Sequence, residues 1–256
     1  MIIIEPLAGL GNRMRAINSA RALSVHLKTR CVILWINDWN NCNCRYSDLF
    51  LKAESTWLVE GSFANWITPL SPVFYHKKLD YSEVAQKIND TDFFESLDPD
   101  QRIYLRTYDA FYPYEDSRSF IPVPHLMERI QKVTSTFDGS TVGIHIRRGD
   151  HSWSNEHSPT EKFIRSMEQE IREDPSVNFF VATDSPEEER VMLSRFGDRI
   201  KVRKKIYSRA SLPGMGDALV DMYCLAATQR LYTSWCSSFS TIASQINNRE
   251  MITVYE

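Results

Sequence analysis

Long apolar runs are missing from this 256-residue sequence: none approaches the roughly 18 residues that a membrane-spanning helix needs. The opening stretch Met1-Ile2-Ile3-Ile4-Glu5-Pro6 has no basic flank and is broken by a proline, so it reads as a strand, not a signal peptide. The expectation is a cytoplasmic protein. A basic excess is missing too. Thirty Lys and Arg stand against 33 Asp and Glu, a net charge of −3, which argues against a dedicated nucleic-acid binder. The five cysteines, Cys31, Cys42, Cys44, Cys224 and Cys236, are an odd number and no disulfide framework. Cys42 and Cys44 flank one asparagine, with no second Cys or His pair at zinc spacing; they read as loop thiols, and no metal is expected. His26, His76, His125, His151 and His157 are scattered and read as surface or packing residues. No G-x-S-x-G elbow, Walker A loop or complete G-x-G-x-x-G is present.

What is present is ordinary globular material: 43% hydrophobic and 12% aromatic residues, enough to bury a core in one large or two compact domains. Short apolar runs alternate with longer helical stretches, the β-α-β order of parallel sheets. Residues 2–4 read as a buried strand and Pro6 to Gly11 as a turn. From Asn12, Met14, Ile17, Ala20, Leu23 and Leu27 recur at helical spacing, with Arg13, Arg15 and Arg21 off the apolar stripe; this predicts an amphipathic helix. Residues 31–36 and 103–107 read as strands. The stretch 37–102 has weak periodicity and predicts only short helices and loops. A helix over 125–137 closes the first half.

A second β/α series follows. Strands are predicted over 141–146, 177–182, 200–202, 231–233 and 251–255. Helices are predicted over 159–172, from Pro186, over 217–227 and over 237–247. The halves are therefore 1–138 and 139–256. Lys201, Arg203, Lys204 and Lys205 read as a solvated edge.

Four segments carry candidate chemistry. Gly9-Leu10-Gly11-Asn12-Arg13 lies between strand and helix, where glycines permit close approach of a ligand and the helix N-terminus favours an anion. Taken alone, it reads as a tight strand-to-helix turn. His145-Ile146-Arg147-Arg148-Gly149-Asp150 ends a strand, and ligands of open β/α sheets bind beyond strand carboxyl ends. Guanidinium groups bind phosphate oxygens in pairs, so a pyrophosphate suits Arg147 and Arg148. The alternative is an ion pair with Asp150 for one of them. Thr183-Asp184 ends the next strand and can meet a ribose or base, or cap the following helix. Asp217 and Asp221 lie four apart on one helix, where one can accept the N–H donors of guanine; otherwise they form an exposed acidic face. Ser237 and Ser238 open a helix, as an anion nest or as simple caps.

Together these motifs resemble the fucosyltransferase superfamily that joins α1,2-, α1,6- and protein O-fucosyltransferases. The Gly-Leu-Gly-Asn turn looks like the N-terminal signature of the α1,2 enzymes. His145 to Asp150 is similar to the central donor-binding motif. Ala218 to Ala226 looks close to the corresponding helix of the nodulation-factor α1,6 enzyme, and Ser237-Ser238-Phe239-Ser240 to the C-terminal motif. The resemblance implies a GT-B-like α/β fold, two Rossmann-like halves facing a central cleft, with an N-terminal acceptor side and a C-terminal GDP-sugar-binding half. It implies a GDP-fucose donor, a glycan acceptor, inversion at the anomeric carbon, and no metal or other cofactor. By position, Arg147 holds the β-phosphate, His145 and Asp221 contact guanine, Ser237 and Ser238 touch phosphate, and Asn12 lines the cleft. Gly9, Gly11, Arg13, Arg148 and Asp184 complete the candidate donor set.

The sequence departs from the α1,6 pattern where the catalytic base belongs. His151 stands where a lysine follows the motif, and the glutamate position falls on Asn155, with Glu156 next to it. Glu156, then His151, then Asp150 are the candidates for taking the acceptor proton. Rival readings keep the fold and change the donor to another GDP-deoxysugar such as GDP-rhamnose, or leave a nucleotide- or glycan-binding protein without catalysis. A scaffold protein would instead use the arginines in ordinary ion pairs.

Overall fold

A computed structural model of the chain describes residues 1–53, 56–61, 64, 75–115, 117–149 and 152–255. Two compact units emerge: Met1–Val123 with Arg209–Met215, and Pro124–Ser208 with Gly216–Glu256. The division thus falls at Val123, ahead of the helix that the sequence reading assigns to the first half.

In the first unit, β1 (Ile2–Pro6), β2 (Cys31–Trp35), β3 (Thr56–Glu60), β4 (Lys77–Leu79) and β5 (Ile103–Thr107) form one parallel sheet in the order β3-β2-β1-β5-β4. Ile2 pairs with Cys31 on one side and Ile103 on the other. The central strands are apolar runs because both faces are covered; every residue of β2 is buried. The unit also holds helices α1 (Leu10–His26), α2 (Tyr81–Gln86) and α3 (Thr91–Glu95) and a short 3-10 turn at Tyr46–Asp48. The edge strands β3 and β4 lie in the stretch where the sequence suggests only short helices and loops. An edge strand is half-wet, so neither strict alternation nor an apolar run marks it; Trp57 of β3, for instance, is exposed.

Helix α1 is not amphipathic. Most of its 17 residues are buried, Arg13 among them. Part of its polar face is covered by the segment after β5. Arg15 Nε donates to the Tyr108 carbonyl at 2.7 Å, Asn18 to Ser117 Oγ at 2.9 Å, and Ser19 Oγ to the Tyr112 carbonyl at 2.9 Å.

The second unit holds β6 (Thr141–Ile146), β7 (Asn178–Thr183), β8 (Ile200–Lys201), β9 (Arg230–Ser234) and β10 (Glu250–Val254), parallel in the order β10-β9-β6-β7-β8. Its helices are α4 (Pro124–Thr134), α5 (Ser152–His157), α6 (Thr160–Glu173), α7 (Pro186–Phe196), α8 (Leu212–Ala226), whose opening turn belongs to the first unit, and α9 (Ser238–Asn247). The core forms where Val142, Ile144 and Ile146 of β6 meet Phe163 and Met167 of α6, Phe179 and Val181 of β7, and Met192 of α7. Ile164 and Ile171 join from the same α6 face, as the periodicity predicts. Gly143 of β6 is required by packing: a Cβ there would sit 2.6 Å from both Leu231 Cδ2 and Thr228 Oγ1.

Helix α8 begins at Leu212, ahead of the predicted start at 217, because Ser211 Oγ accepts the Gly214 amide and Pro213 sits in the first turn. The short α5 has no sequence signal. All five cysteines are free; Cys236 is exposed and the others buried, with the Cys42 and Cys44 sulfurs 3.9 Å apart. Among the described residues, no helix is long and apolar enough to cross a membrane.

Candidate functional site

Strand order in the second sheet reverses at β6: the chain leaves it toward β7 on one side and returns through β9 on the other. Such a switch point opens a crevice at the strands' carboxyl ends. Three segments converge there. After β6 come Arg147, Arg148 and Gly149; after β7 comes Asp184; Ser234 ends β9. The Arg147 amide donates to Ser234 Oγ at 3.0 Å, and its guanidinium pairs with Asp184 Oδ2. The other Asp184 oxygen accepts the Arg148 amide at 2.7 Å. Gly149 has φ +29°, and a Cβ there would stand 2.8 Å from Asp184 Oδ2, so the turn needs glycine twice over.

The two arginines divide their roles. Arg148 is fully engaged: Nε to Glu188 at 2.6 Å, Nη1 to the Arg147 carbonyl at 3.0 Å and Nη2 to Thr160 Oγ1 at 3.0 Å. It ties β6 to α6 and α7, a structural task the sequence left open between the two. Arg147 has Asp184 as its counter-ion at the strand end, which directs the guanidinium.

His145 lies on the same strand, 6% exposed. Its Nδ1 is 2.6 Å from Ser240 Oγ and 3.4 Å from Ser237 Oγ, and its ring stacks on Phe239 at 4.9 Å. Thr233 Oγ1 donates to the same Ser240 hydroxyl. Burial, with the nearby charges of Arg147 and then Lys205, lowers the His145 pKa to about 3. The imidazole is therefore neutral and too weak a base to take a hydroxyl proton at physiological pH. What it does is fix the start of α9. Ser237 caps that helix, its Oγ accepting the Ser240 amide at 3.4 Å, and Cys236 before it has φ +54°. A left-handed residue followed by a helix start aims successive amides outward, an anion nest. Ser238 is the first helical residue.

Asp217 and Asp221 of α8 are not an exposed acidic face; both are buried. Nor do Arg203 and Lys205 form a solvated edge. Arg203 donates to Asp221 Oδ1 at 2.6 Å and to Asp217 Oδ1 at 2.8 Å; Lys205 Nζ reaches Asp221 Oδ2 at 3.0 Å. Arg129 of α4 also pairs with Asp217. Burial opposes ionisation of Asp217, but bonds from Arg203, the Ile206 amide and Arg129 outweigh it and hold the carboxyl below its ordinary range. Of the predicted basic edge, Lys204 alone is exposed. A sequence signal for these partners existed: two aspartates inside an otherwise apolar helix require cations.

Glu156 is exposed on α5. Asp150 and His151, the other candidates for the acceptor proton, lie outside the described residues. Among the described residues, no group of three or more His, Cys, Asp and Glu is arranged to hold a metal ion.

In the first unit, the candidate segment follows β1, the strand at which that sheet reverses. The two glycines do not supply the tight turn; Ala8 does, at φ +62°, while Gly9 is extended at φ −73°. Gly11 is already in α1 and buried, and Asn12 is half-buried beside it. Arg13 Nε donates to the Ala8 carbonyl at 2.9 Å and Nη1 to the Ile36 carbonyl at 2.8 Å, with the guanidinium 4.6 Å from the Trp35 ring centroid. Arg13 thus braces the Ala8 turn from inside the core.

No protein-family model and no curated protein sequence matches the chain. Solved structures do. NodZ α-1,6-fucosyltransferase soaked with GDP-fucose superposes with a TM-score of 0.65 at 18% identity, covering 96% of this chain and 92% of that one; another structure names its source as Bradyrhizobium. Arabidopsis thaliana FUT1 in complex with GDP gives 0.65 at 13% identity, over 100% of this chain and 70% of that one. POFUT1 in complex with GDP-fucose gives 0.62 at 12% identity, over 99% and 97%. The chain has the α/β fold of these fucosyltransferases, two Rossmann-like units each built on a parallel five-stranded sheet.

Proposed function

We propose that this protein is a glycosyltransferase that moves fucose from GDP-fucose to a glycan hydroxyl, with inversion and without a metal. One observation carries the reading. Arg147 and the serine-capped start of α9 share the switch point of the second sheet, in a fold whose other members were crystallised with GDP and GDP-fucose.

The chemistry follows from charge. Cleaving the bond between sugar and GDP leaves negative charge on the β-phosphate. The Arg147 guanidinium and the first-turn amides of α9 offset it from fixed positions, which a low-dielectric site makes effective. Asp184 orients Arg147, and Ser234 holds its backbone. The neutral His145 acts by hydrogen bonding, and Glu156 takes the proton of the incoming hydroxyl. Asp221, already bound to Arg203 and Lys205, can meet guanine only as part of that cluster.

Calorimetric titration with GDP, with ADP and UDP as controls, is the test. Selective GDP binding followed by consumption of GDP-fucose supports the reading, and the product anomer, read by NMR, reports inversion. EDTA is expected to leave activity unchanged; loss restored by Mn²⁺ overturns the metal-free step. Consumption of GDP-rhamnose instead of GDP-fucose transfers the reading to that donor. GDP binding with no GDP-sugar consumed makes this a nucleotide-binding protein.

A further inference from the structure

Three aromatic rings gather beside the carboxyl ends of β6 and β9. Trp153 of α5 and Trp235, the residue after β9, stack at 6.1 Å and 26°. His157 completes the group, 5.0 Å from Trp235 and 6.0 Å from Trp153. The backing is tied down. The Trp235 amide donates to Ser158 Oγ at 2.8 Å, and Ser158, fully buried, donates in turn to the Val254 carbonyl. Yet Trp153 on top of this group is 61% exposed. An indole backed by two other rings and left in water offers a ligand an apolar face at the surface.

We infer that Trp153 is the stacking platform for a sugar ring of the acceptor glycan. The inference rests on the glycosyl-transfer reading for its ligand class. Two features select a sugar. The first is chemistry. A pyranose presents a face of C–H groups, weakly positive, that complements the negative face of an indole, while its hydroxyls stay wet at the ring edge. The second is position. Trp235 directly follows Ser234, the residue that anchors the Arg147 amide, and α5 begins just beyond Gly149. A sugar on Trp153 therefore lies beside the loops that would hold the donor phosphates, and Glu156 is carried on the same short helix.

The experiment compares the full-length wild-type chain with Trp153→Ala and Trp153→Phe on a glycan array, each incubated with GDP, alongside calorimetry with GDP alone. Wild type is expected to capture a defined set of array glycans. Trp153→Ala should weaken that capture about ten-fold or more, the effect typical of an aromatic anchor, and Trp153→Phe should restore most of it. GDP affinity should be the same in all three chains, which also shows that they are folded. Capture of no array glycan by wild type, or equal capture by Trp153→Ala, overturns the proposal. A fall in GDP affinity parallel to the loss of capture also overturns it, because the indole would then be meeting the nucleotide. If wild type fails to bind GDP but captures glycans through Trp153, the donor reading fails and the platform stands.

Discussion

At the scale of single residues, adjacent arginines of identical chemistry take different partners: Arg148 ties α6 and α7 to β6, while Arg147 pairs with Asp184 at the strand end and is the proposed phosphate group. Arg147→Ala is expected to weaken GDP binding about 10- to 100-fold, the worth of one or two charge-assisted bonds, and to abolish transfer; unchanged GDP affinity in calorimetry would remove its role. Arg148→Ala should act on the fold, because it leaves the largely buried Glu188 carboxylate without its counter-ion and with only the Thr160 hydroxyl as a side-chain donor, at a cost of roughly 3 kcal/mol in urea denaturation. His145 makes a pH prediction whose sign can be derived. Its folded pKa, about 3, lies below the ordinary 6.5, so the unfolded chain binds the extra proton between those values. Stability from this group is complete above pH 6.5 and declines as pH falls, by up to about 1.4 kcal/mol per pH unit. A His145→Asn variant should lose that part of the slope between pH 6.5 and 5, and an unchanged slope would show that the imidazole does not carry it. Asp217, its carboxyl held against burial below the ordinary carboxylate range by Arg203, the Ile206 amide and Arg129, adds its own loss of stability as pH falls through that range.

At the scale of elements, two glycines of the second unit are required for different reasons. Gly143 of β6 faces Leu231 and Thr228 with no room for a methyl group, so Gly143→Ala should cost about 1–3 kcal/mol by overpacking. Gly149 combines a positive φ with the approach of Asp184. Gly149→Ala should therefore displace the Arg147–Asp184 pair and lower GDP affinity more than stability, a contrast that urea denaturation and calorimetry on the same sample can read. Helix α9 depends on its cap: Ser237→Ala should lose about 1 kcal/mol and, if the anion nest operates, GDP affinity as well.

At the scale of the whole molecule, the two units repeat one solution: a central strand flanked by parallel neighbours. A ligand that binds only the folded state adds RT ln(1 + [L]/Kd), about 2.7 kcal/mol at a hundred times Kd. GDP is accordingly expected to raise the thermal midpoint by several degrees, while ADP and UDP leave it nearly unchanged. Equal shifts with all three nucleotides would point to a phosphate site that does not read the base.

The sequence by itself determined the strands of both sheet centres, because a strand covered on both faces is a continuous apolar run and needs no context to be read. The run at β2 is legible for that reason, and β5 over 103–107 by its alternation. So is the face of α6. Tertiary structure alone decided the rest. The edge strands β3 and β4 pair on one side only and leave no strong pattern. Which groups satisfy Arg13, Asp217 and Asp221 was set by the fold: the Ile36 carbonyl for Arg13, and Arg203 and Lys205 for the two aspartates. Position 8 takes the left-handed turn although it is alanine, since Arg13 holds its carbonyl in place. Apolar periodicity is local and survives in the sequence; the pairing of charges is set by which strand ends the fold brings together.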